Sequence, residues 1–569
     1  HHHLYPSDLA AGYARFAFIV DSLLTLSPDH LLLHAGDISV GDLAFSHDSI
    51  PGRAEFALMQ HLGFDDVVLG NHELDLGEDH LEALLSAVGW PDTTTTLLTA
   101  NMQFGTHPLS NRYVPWDTFR VQGHLIGIFG LTTEMPTNIL PETGDSIVAT
   151  DPVQAAQGVA QTLQSLGVER ILLLSHLGVD QDTALAAQVA GIDLIIGGHS
   201  HTRLDQALPV QQPTGDTTYV VQAGSWLRWV GLTQVDLSGT GPFLQAYTLI
   251  PVDSGPVDPT VQTFLDSLQG VIQGVYGVNP YTDVLTTVLD TFGTDLTPWA
   301  GVQDVALGNL VADALQDTLQ VLGTQASLIP MMLLSDPLLP GPATRAELFR
   351  ASPYGYDPTS HLDSRLAVVT LRGDSLRVVL RLAIVMGYPD MLAQVSGMRY
   401  VFTRPANPFL TTLDSLWIQN VPVPPGDTTL YTVGMDLWTL YGITRLMGVP
   451  VHTVDTLPLT VAEALYRYAA LHPTLQPVVE GRVRRRVTVV NEPPMQHRSF
   501  PVALRIRPGL LRILSPEGST YRISLFRPDG RQMARALLQR SVQWHLPSGI
   551  YLLRIETPEH TQSARVWIP

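Results

Sequence analysis

The sequence predicts two α/β domains followed by a small all-β domain. Residues 1–250 alternate short apolar runs with helical stretches, and residues 279–490 continue this alternation. Residues 502–569 contain only short segments separated by the turn signals RPDG, LPSG and TPEH. The 569 residues are too many for one hydrophobic core, and the 45% hydrophobic and 15% charged content is typical of a folded chain.

In residues 1–250, five apolar runs predict buried strands, each ending in polar or glycine residues. They are HLLLHAG, DVVLGN, RILLLSH, DLIIGGH and YVVQAGS. Helical patterns such as AGYARFAFIVDSLL and DPVQAAQGVAQTLQSLG lie between several of them. Strands that alternate with helices predict a layered α/β domain.

Two linkers are predicted. Residues 251–278 include an amphipathic helical pattern at 258–277, which would join the first domain to the second at 279–490. Residues 491–501, NEPPMQHRSFP, are rich in proline and polar residues and predict a linker before a β-sandwich at 502–569.

Composition narrows the classes of partner. The net charge of −21 argues against a nucleic-acid backbone or an anionic membrane as the main partner. Because the chain has no cysteine, a metal would have to bind His, Asp, Asn, Glu or carbonyl oxygen. No apolar run reaches the roughly 18–20 residues that span a bilayer.

Four motifs place polar residues directly after predicted strands: HAGDISVGD (34–42), LGNHELDLG (69–77), LSHLG (174–178) and GGHSHT (197–202). In an open α/β sheet, loops at the carboxyl ends of the strands converge at one edge. The candidate site residues that we expect to meet there are Asp37, Asn71, His72, His176, His199 and His201.

These residue types suit two divalent ions. A carboxylate such as Asp37 can bridge two metals, neutral imidazoles suit Zn, Mn, Fe or Ni, and an amide oxygen suits a harder ion. Two ions about 3.5–4 Å apart can hold a phosphoryl group and activate a water. His72 and Asp75 are three residues apart, so the carboxylate could orient the imidazole for acid–base work. Each motif alone could equally be a turn or a helix cap, and it is the joint pattern that favours a site.

The four motifs resemble those of the calcineurin-type metallophosphoesterases, and in particular the 5′-nucleotidase family. The order GD…G, GNHE-x-D, a strand-end His and GH-x-H matches over residues 1–250. The resemblance implies a four-layer domain, a β-sandwich flanked by helices. It also implies an Asp-x-His segment ahead of GYAR, where this chain reads HHHLYP. That run is either a remnant of a tag or, as we expect, a motif that lacks its Asp.

By this resemblance, one metal would be bound by His1, Asp37 and His201, together with an Asp that the given sequence lacks. The other metal would be bound by Asp37, Asn71, His176 and His199. His72 and Asp75 would be the catalytic pair. The expected cofactors are two divalent ions, Zn, Mn or similar.

Residues 279–490 resemble the C-terminal, nucleotide-binding domain of that family, chiefly through LGNLVADAL (307–315). By position, Tyr354 and Trp438 match two rings that stack on a nucleobase. The family's phosphate-binding Arg residues and a Gly-Gly-Asp-Gly segment have no counterpart here. The chain reads WAGVQDVA, IPMMLLSD and LYGITR instead.

The expected function is therefore a secreted or cell-surface phosphoester hydrolase that converts a nucleotide to a nucleoside and phosphate. Two alternatives stay open: another phosphoester, such as a cyclic nucleotide or nucleotide sugar, and a surface structural protein with an idle metal site. Residues 502–569 resemble a type IX secretion sorting domain, through YRISLFRPDGRQ and LPSGIYLLRIETPEHTQSARVWI, which implies export and surface attachment. No nucleic-acid partner and no membrane-spanning segment are expected.

Overall fold

A computed structural model describes residues 4–7, 11–47, 50–92, 94–133, 147–239, 242–253, 255–294, 296 and 302–486. Beyond these it describes the backbone of seven strands between Ala503 and Ile568. The chain divides into two compact units. The first contains residues 1–288, 339–364 and 472–474, and the second contains 289–338, 365–471 and 475–569.

The helices, numbered in chain order, are α1 (Tyr13–Leu24), α2 (Leu43–His47), α3 (Arg53–Leu62), α4 (Glu78–Val88), α5 (Pro152–Ser165), α6 (Val179–Ala186), α7 (Pro259–Tyr276), α8 (Ala306–Leu319), α9 (Arg345–Arg350), α10 (Gly373–Gly387), α11 (Leu437–Tyr441) and α12 (Val461–Leu471). None of the helices in the described ranges is both long and apolar enough to cross a membrane.

The strands of the first domain and linker are β1 (Leu33–His34), β2 (Asp66–Val68), β3 (Thr96–Leu98), β4 (Met102–Gln103), β5 (Tyr113–Val114), β6 (Trp116–Val121), β7 (His124–Thr132), β8 (Val148–Ala149), β9 (Arg170–His176), β10 (Leu194–Gly197), β11 (Leu208–Gln211), β12 (Thr217–Val221), β13 (Trp229–Val235), β14 (Leu244–Pro251) and β15 (Val284–Val288).

The remaining strands are β16 (Ala326–Pro330), β17 (Gly341–Thr344), β18 (Arg365–Arg372), β19 (Ala393–Ser396), β20 (Met398–Thr403), β21 (Thr412–Ile418), β22 (Val421–Pro422), β23 (Leu430–Asp436), β24 (Thr453–Thr460), β25 (Thr474–Leu475), β26 (Val483–Arg485), β27 (Ala503–Arg507), β28 (Leu510–Leu514), β29 (Tyr521–Phe526), β30 (Gln532–Leu538), β31 (Ser541–His545), β32 (Gly549–Glu556) and β33 (Thr561–Ile568).

Two sheets of the first unit carry the site. One has the order β1-β2-β3-β5 with parallel pairing, and the other has the order β11-β12-β10-β9-β7-β6 with a parallel centre. Their strands are short apolar runs such as 171–174, whose side chains are buried. Helices α1, α3, α4 and α7 add buried residues to the core beside the first sheet. Helix α5 and residues 185–189 pack with β7 and β9 in a second cluster. This layered α/β arrangement confirms the predicted fold class.

Helix α7 confirms the helix predicted at 258–277. Asp258 caps its first turn by accepting a hydrogen bond from the Val261 amide at 2.7 Å, and Pro259 occupies the first helical position. Gly277 ends the helix in the left-handed conformation with a φ of 70°. Val261, Leu265, Leu268 and Ile272 follow the helical period and are buried.

The second unit contains a five-stranded sheet, β19-β16-β23-β18-β24, and a four-stranded sheet, β22-β21-β20-β26. Their apolar faces share one core with α10. The last part of the chain forms two antiparallel sheets, β27-β28-β31 and β30-β29-β32-β33. Only strands are described there, as the predicted all-β class requires.

Candidate active site

Four strand ends of the first unit bring the predicted residues together. Asp37 follows β1 and Asn71 follows β2, each by three residues, while His176 is the last residue of β9. His199 lies two residues beyond β10. Among the described residues, one group of His, Asp or Glu side chains has ligand atoms within 4.8 Å of one another, and it comprises Asp37, His176 and His199.

The nitrogen and oxygen atoms of this group that could bind a metal lie at hydrogen-bond distance from one another. Nδ1 of His176 lies 2.5 Å from the carbonyl oxygen of Ala35, which can only accept, so Nδ1 carries a ring proton. Nε2 of His176 lies 2.9 Å from Oδ2 of Asp37 and 3.1 Å from Oδ1 of Asn71, two oxygens that also accept, so without a metal it donates a proton to Asp37. Nδ1 of His199 lies 2.9 Å from the same Asn71 oxygen.

Such a set of electron-rich atoms fits a cation. Ligand bonds of about 2.1 Å at right angles separate adjacent ligand atoms by about 3.0 Å, close to the distances observed here. The carbonyl of Ala35 also fixes the tautomer and the orientation of the His176 ring, as an outer partner of a metal-binding histidine does. The residues present therefore fit a divalent metal.

The electrostatics agree with this assignment. Burial opposes ionisation of Asp37, but His176 and His72 outweigh it and hold the pKa of Asp37 well below its ordinary value. Burial lowers the pKa of His199 to about 4 and that of His201 to about 3. Near neutral pH the site therefore offers the Asp37 carboxylate and the neutral imidazoles of His199 and His201. Burial opposes a charged His176, but Asp37 outweighs it and raises the pKa of His176, so a metal ion would bind this ring by displacing a proton.

The Glu73 carboxylate joins the two loops that carry Asp37 and Asn71. Its Oε1 accepts hydrogen bonds from the amides of Ile38 at 2.7 Å and Ser39 at 3.1 Å. Its Oε2 accepts from the amides of Gly70 at 2.8 Å and Asp37 at 3.0 Å. Burial and the Asp37 charge raise the pKa of Glu73, and its backbone hydrogen bonds oppose that rise.

The same two loops touch at Gly70. A Cβ at this position would lie 2.6 Å from Oε2 of Glu73 and closer still to the amide of Asp37, so a side chain has no room. Oδ1 of Asp37 accepts a hydrogen bond from the His72 amide at 3.0 Å. Asp37 itself has a φ of 57°, a left-handed conformation that costs energy outside glycine. The contact between the loops holds Asp37 in that conformation.

Ser200 holds the loop that carries the other two histidines. Its Oγ accepts a hydrogen bond from the Val179 amide at 3.1 Å and donates to Oε1 of Gln222 at 3.1 Å. His199 and His201 on either side of it have φ values of 69° and 55°. The serine thus supports two residues in unfavourable backbone conformations.

His201 is not part of the compact group. The His201 ring packs edge-on against Trp226, with 5.5 Å between ring centroids, and it lies near enough to Asp37 for their charges to interact. His1 lies outside the described residues. The ligand set predicted for the second metal therefore stays a prediction.

His72 and Asp75 form the predicted pair. Nδ1 of His72 lies 2.6 Å from Oδ2 of Asp75, and the Asp75 side chain is buried. Burial works against a charged imidazole, but Asp75 and Asp37 outweigh it and raise the pKa of His72 to about 9. His72 can therefore hold a proton near neutral pH, beside the metal-binding group.

The two predicted stacking residues belong to different units. Tyr354 lies in residues 339–364 of the first unit, and its ring stacks on His72 with 5.5 Å between centroids and 26° between planes. Trp438 lies in α11 of the second unit, where its side chain is buried. One face of the Tyr354 ring is thus already covered by the imidazole.

A buried ion pair anchors the segment that carries Tyr354. Nη2 of Arg350 donates to Oδ2 of Asp42 at 2.7 Å, and the two side chains are 3% and 0% exposed. Oδ1 of Asp42 accepts from the Tyr281 hydroxyl at 2.5 Å, and Nη2 of Arg350 also reaches the Tyr5 carbonyl at 3.3 Å. The pair fixes the end of α9 four residues before Tyr354.

Sequence reasoning missed Glu73, Asp42 and Arg350. Glu73 and Asp42 lie inside two of the four strand-end motifs. For Glu73 the sequence does contain a signal, an acidic residue two positions after the candidate ligand Asn71. Nothing in the sequence pairs Asp42 with Arg350, because 308 residues separate them.

Comparisons with known proteins agree with this geometry. Residues 5–203 match the calcineurin-like phosphoesterase family, and residues 285–447 match the 5′-nucleotidase C-terminal domain. In both matched regions the chain resembles 5′-nucleotidases. The calcineurin-like phosphoesterases that the first region matches are phosphoester hydrolases that use divalent metals. The family match covers residues 339–364 with the C-terminal domain, whereas in this structure they pack with the first unit.

Several known proteins are similar to this chain. A 5′-nucleotidase precursor from Thermus thermophilus superposes with a TM-score of 0.72 and 26% identity, covering 85% of this chain and 94% of that one. The probable 5′-nucleotidase of Treponema pallidum (strain Nichols) is 30% identical over 273 residues, 43% of this chain and 45% of that protein. The 5′-nucleotidase of Rattus norvegicus is 32% identical over 262 residues, 43% and 44%. The alignments thus span somewhat under half the length of these two curated relatives.

The His72–Asp75 geometry predicts that loss of the His72 ring lowers activity without releasing metal. Replacing His72 with alanine should lower turnover of a phosphoester about 10²–10⁴-fold, as for other acid–base groups, and leave bound metal unchanged. Turnover and metal content by elemental analysis are measured on the same preparation.

The matched control is His124→Ala, because His124 also pairs with a carboxylate, Glu169 at 2.8 Å, but on the surface. It should keep parental turnover. If His72→Ala loses metal in proportion to activity, His72 is a ligand and the pair has another role.

Proposed function

We propose that the chain is a two-metal phosphoester hydrolase that acts on nucleotides. The observation that supports this most is the convergence of a carboxylate, an amide oxygen and two imidazole nitrogens at distances of 2.9–3.1 Å, with the Ala35 carbonyl fixing the His176 tautomer. Metal ligands of this kind would by themselves be compatible with several reactions. The adjacent His72–Asp75 pair favours hydrolysis.

Asp37, Asn71, His176 and His199 would hold one divalent ion. Asp37 and His201 would contribute to a second, together with His1 in the sequence-based assignment. Mixed oxygen and imidazole ligands without thiolate suit Zn, Mn or a similar ion. A pair of such ions supplies an activated water and positive charge for the phosphoryl oxygens.

The protein's own groups then handle the proton. The protonated His72 ring, oriented by Asp75, would donate a hydrogen bond to the phosphoryl group and give a proton to the leaving oxygen. Asp75 keeps the Nδ1 proton in place and so directs Nε2 of His72 outward. The Tyr354 ring, which covers one face of the imidazole, restricts its rotation and keeps water from that face.

Tyr354 and Trp438 are the proposed contacts of the nucleobase. Stacking on a base contributes about 1–3 kcal/mol, but His72 leaves at most one face of Tyr354 for it. The missing family arginines remove bidentate binding of anionic groups, which other residues do not replace easily. This departure favours a second candidate, a phosphoesterase for a different ester such as a cyclic nucleotide or nucleotide sugar.

We also propose that the protein is secreted or held at the cell surface. The support is the resemblance of residues 502–569 to a sorting domain and the all-β arrangement of the described strands there. Removing residues 495–569 should leave turnover of the purified enzyme near the parental value and prevent its export from the native cell. Export of the shortened protein would refute the sorting role.

A substrate comparison tests the nucleotide assignment. The metal-loaded enzyme should hydrolyse AMP and a plain aryl phosphate with values of kcat/KM within about a hundredfold of each other, since Trp438 and one face of Tyr354 supply no more than about 1–3 kcal/mol. Chelation of the metals should abolish both reactions.

Trp438→Ala is the informative variant, and Trp417→Ala, elsewhere in the second unit, is its control. A preference for AMP above about a thousandfold that Trp438→Ala removes would show that other groups replace the missing arginines. Hydrolysis of neither ester by the metal-loaded enzyme would refute the proposed function.

A further inference from the structure

A groove in the second unit has features of a separate anion site. Its volume is about 560 Å³, and it lies at one end of the sheet β22-β21-β20-β26. The residues that matter for its chemistry are Arg399, Trp417, Gln419, Asn420, Arg482 and Arg484. None of them belongs to the candidate active site.

The strand register places the basic and aromatic side chains on one face. Arg399 on β20 pairs with Trp417 on β21, and Val401 on β20 pairs with Arg484 on β26. Paired residues point to the same face, and so do residues two apart on one strand. The alternate residues Met398, Tyr400 and Phe402 are buried in the core. Arg399, Trp417 and Arg484 therefore share the outer face.

Two of the guanidinium groups are available to a ligand. The Arg399 guanidinium lies 4.9 Å from the centre of the Trp417 ring, a cation–π contact that orients it without using its N–H donors. Within the described ranges, neither Arg399 nor Arg484 has a carboxylate partner, and Arg484 donates only from Nε, to the Gly481 carbonyl at 3.1 Å. Both residues are exposed.

The third arginine of the groove, Arg482, differs from the other two because it is paired with carboxylates. Arg482 makes a bidentate pair with Asp313 at 2.6 and 2.9 Å and a further bond to Glu480 at 2.7 Å. These two carboxylates neutralise the charge of Arg482 and fix its side chain in the lining of the groove. Asp304 fixes the adjoining wall by accepting hydrogen bonds from the amides of Glu480 at 3.0 Å and Gly481 at 3.1 Å.

The spacing suits one oxyanion. Neighbouring strands lie about 4.8 Å apart, and residues two apart on a strand are about 6.6 Å apart, so the Cα atoms of Arg399 and Arg484 are about 8 Å apart. Two long side chains at that distance can converge on one tetrahedral anion. Gln419 and Asn420, exposed at the turn between β21 and β22, add amide donors at the same end. Arg399, Arg482 and Arg484 against Asp313 and Glu480 leave a local excess of one positive charge in a chain of net charge −21.

We propose that this groove binds a phosphate or sulfate ester group through Arg399 and Arg484, with Trp417 as the platform that orients Arg399. The shared chemistry is a multiply charged tetrahedral oxyanion, which guanidinium forks bind with two parallel hydrogen bonds. The ester can be carried by a soluble small molecule or by a sulfated or phosphorylated polymer. The site is independent of the proposed catalytic function, since none of its residues is a proposed metal ligand, catalytic group or nucleobase contact.

Calorimetric titration of the full, metal-loaded chain tests the proposal with three probes: inorganic sulfate, dextran sulfate and uncharged dextran. The parent should bind the two sulfated probes and not dextran. The double variant Arg399→Gln/Arg484→Gln should bind both sulfated probes at least about tenfold more weakly, because neutral glutamine side chains cannot make the charge-assisted hydrogen bonds of the two guanidinium groups. Its phosphoesterase turnover should equal that of the parent.

The matched control is Arg445→Gln, since Arg445 is also exposed and lies over an aromatic ring, Tyr441 at 5.2 Å, but outside the groove. It should bind like the parent.

The variant Arg399→Lys/Arg484→Lys keeps both positive charges but loses the planar guanidinium groups. Its affinity for the sulfated probes should lie between those of the parent and the Gln double variant, which separates the effect of site geometry from that of net charge. Similar affinity for inorganic sulfate and dextran sulfate, per sulfate group, would identify a small ester as the source, and much tighter dextran sulfate binding would identify a polymer.

Equal binding of the sulfated probes by the parent and the Gln double variant would overturn the proposal. So would an equal loss in Arg445→Gln, because the effect would then belong to the overall charge of the surface. If the Gln double variant is unstable, the Lys double variant is compared with Arg445→Gln instead. Weaker binding by the Lys double variant alone would support the proposal, and equal binding by the two would overturn it.

Discussion

The Glu73 carboxylate is the constraint on which the rest of the site depends. It receives four backbone amide hydrogen bonds, two from Ile38 and Ser39 and two from Asp37 and Gly70. Hydrogen bonds to a charged group contribute about 1.5–3 kcal/mol each, so the cluster can hold Asp37 in a left-handed backbone conformation. The two loops are thereby joined before any metal binds, and the ligand atoms of Asp37 and Asn71 face His176 and His199.

This arrangement uses protein hydrogen bonds for geometry rather than for the reaction itself. Ala35 orients His176, Ser200 supports the loop of His199 and His201, and Asp75 orients His72. These partners fix the orientation of the side chains that carry the ligand atoms. A metal site whose ligands are held in this way loses little conformational entropy on binding.

The ion pair of Asp42 and Arg350 adds a second constraint. A buried pair of this kind is weak evidence for stability, because desolvation offsets the attraction, but removing one partner is costly. Its position explains why residues 345–364 pack with the first unit and why Tyr354 reaches His72. The Tyr354 ring is thereby in contact with His72 of the proposed catalytic pair.

The sequence predicted the fold class and the strand-end residues because both follow from local patterns. Apolar runs ending at Asp37, Asn71, His176 and His199 are visible in the sequence, and parallel strands bring such ends together. The role of Glu73 depends on how closely two loops approach, which no local pattern encodes. The Asp42–Arg350 pair and the stacking of Tyr354 on His72 depend on the path of a segment some 300 residues away in the chain.

Amide hydrogen exchange on the metal-free protein tests the central claim most directly. If the Glu73 carboxylate assembles the site in advance, the amides of Asp37, Ile38, Ser39 and Gly70 should exchange as slowly as those in the middle of β9, without added metal. In Glu73→Gln at least one pair of them, Ile38 with Ser39 or Asp37 with Gly70, should exchange rapidly, because an amide side chain can accept at only one of its two ends. Rapid exchange of these four amides in the metal-free parent, with protection appearing only after a divalent ion is added, would contradict the account, since the metal and not Glu73 would then join the loops.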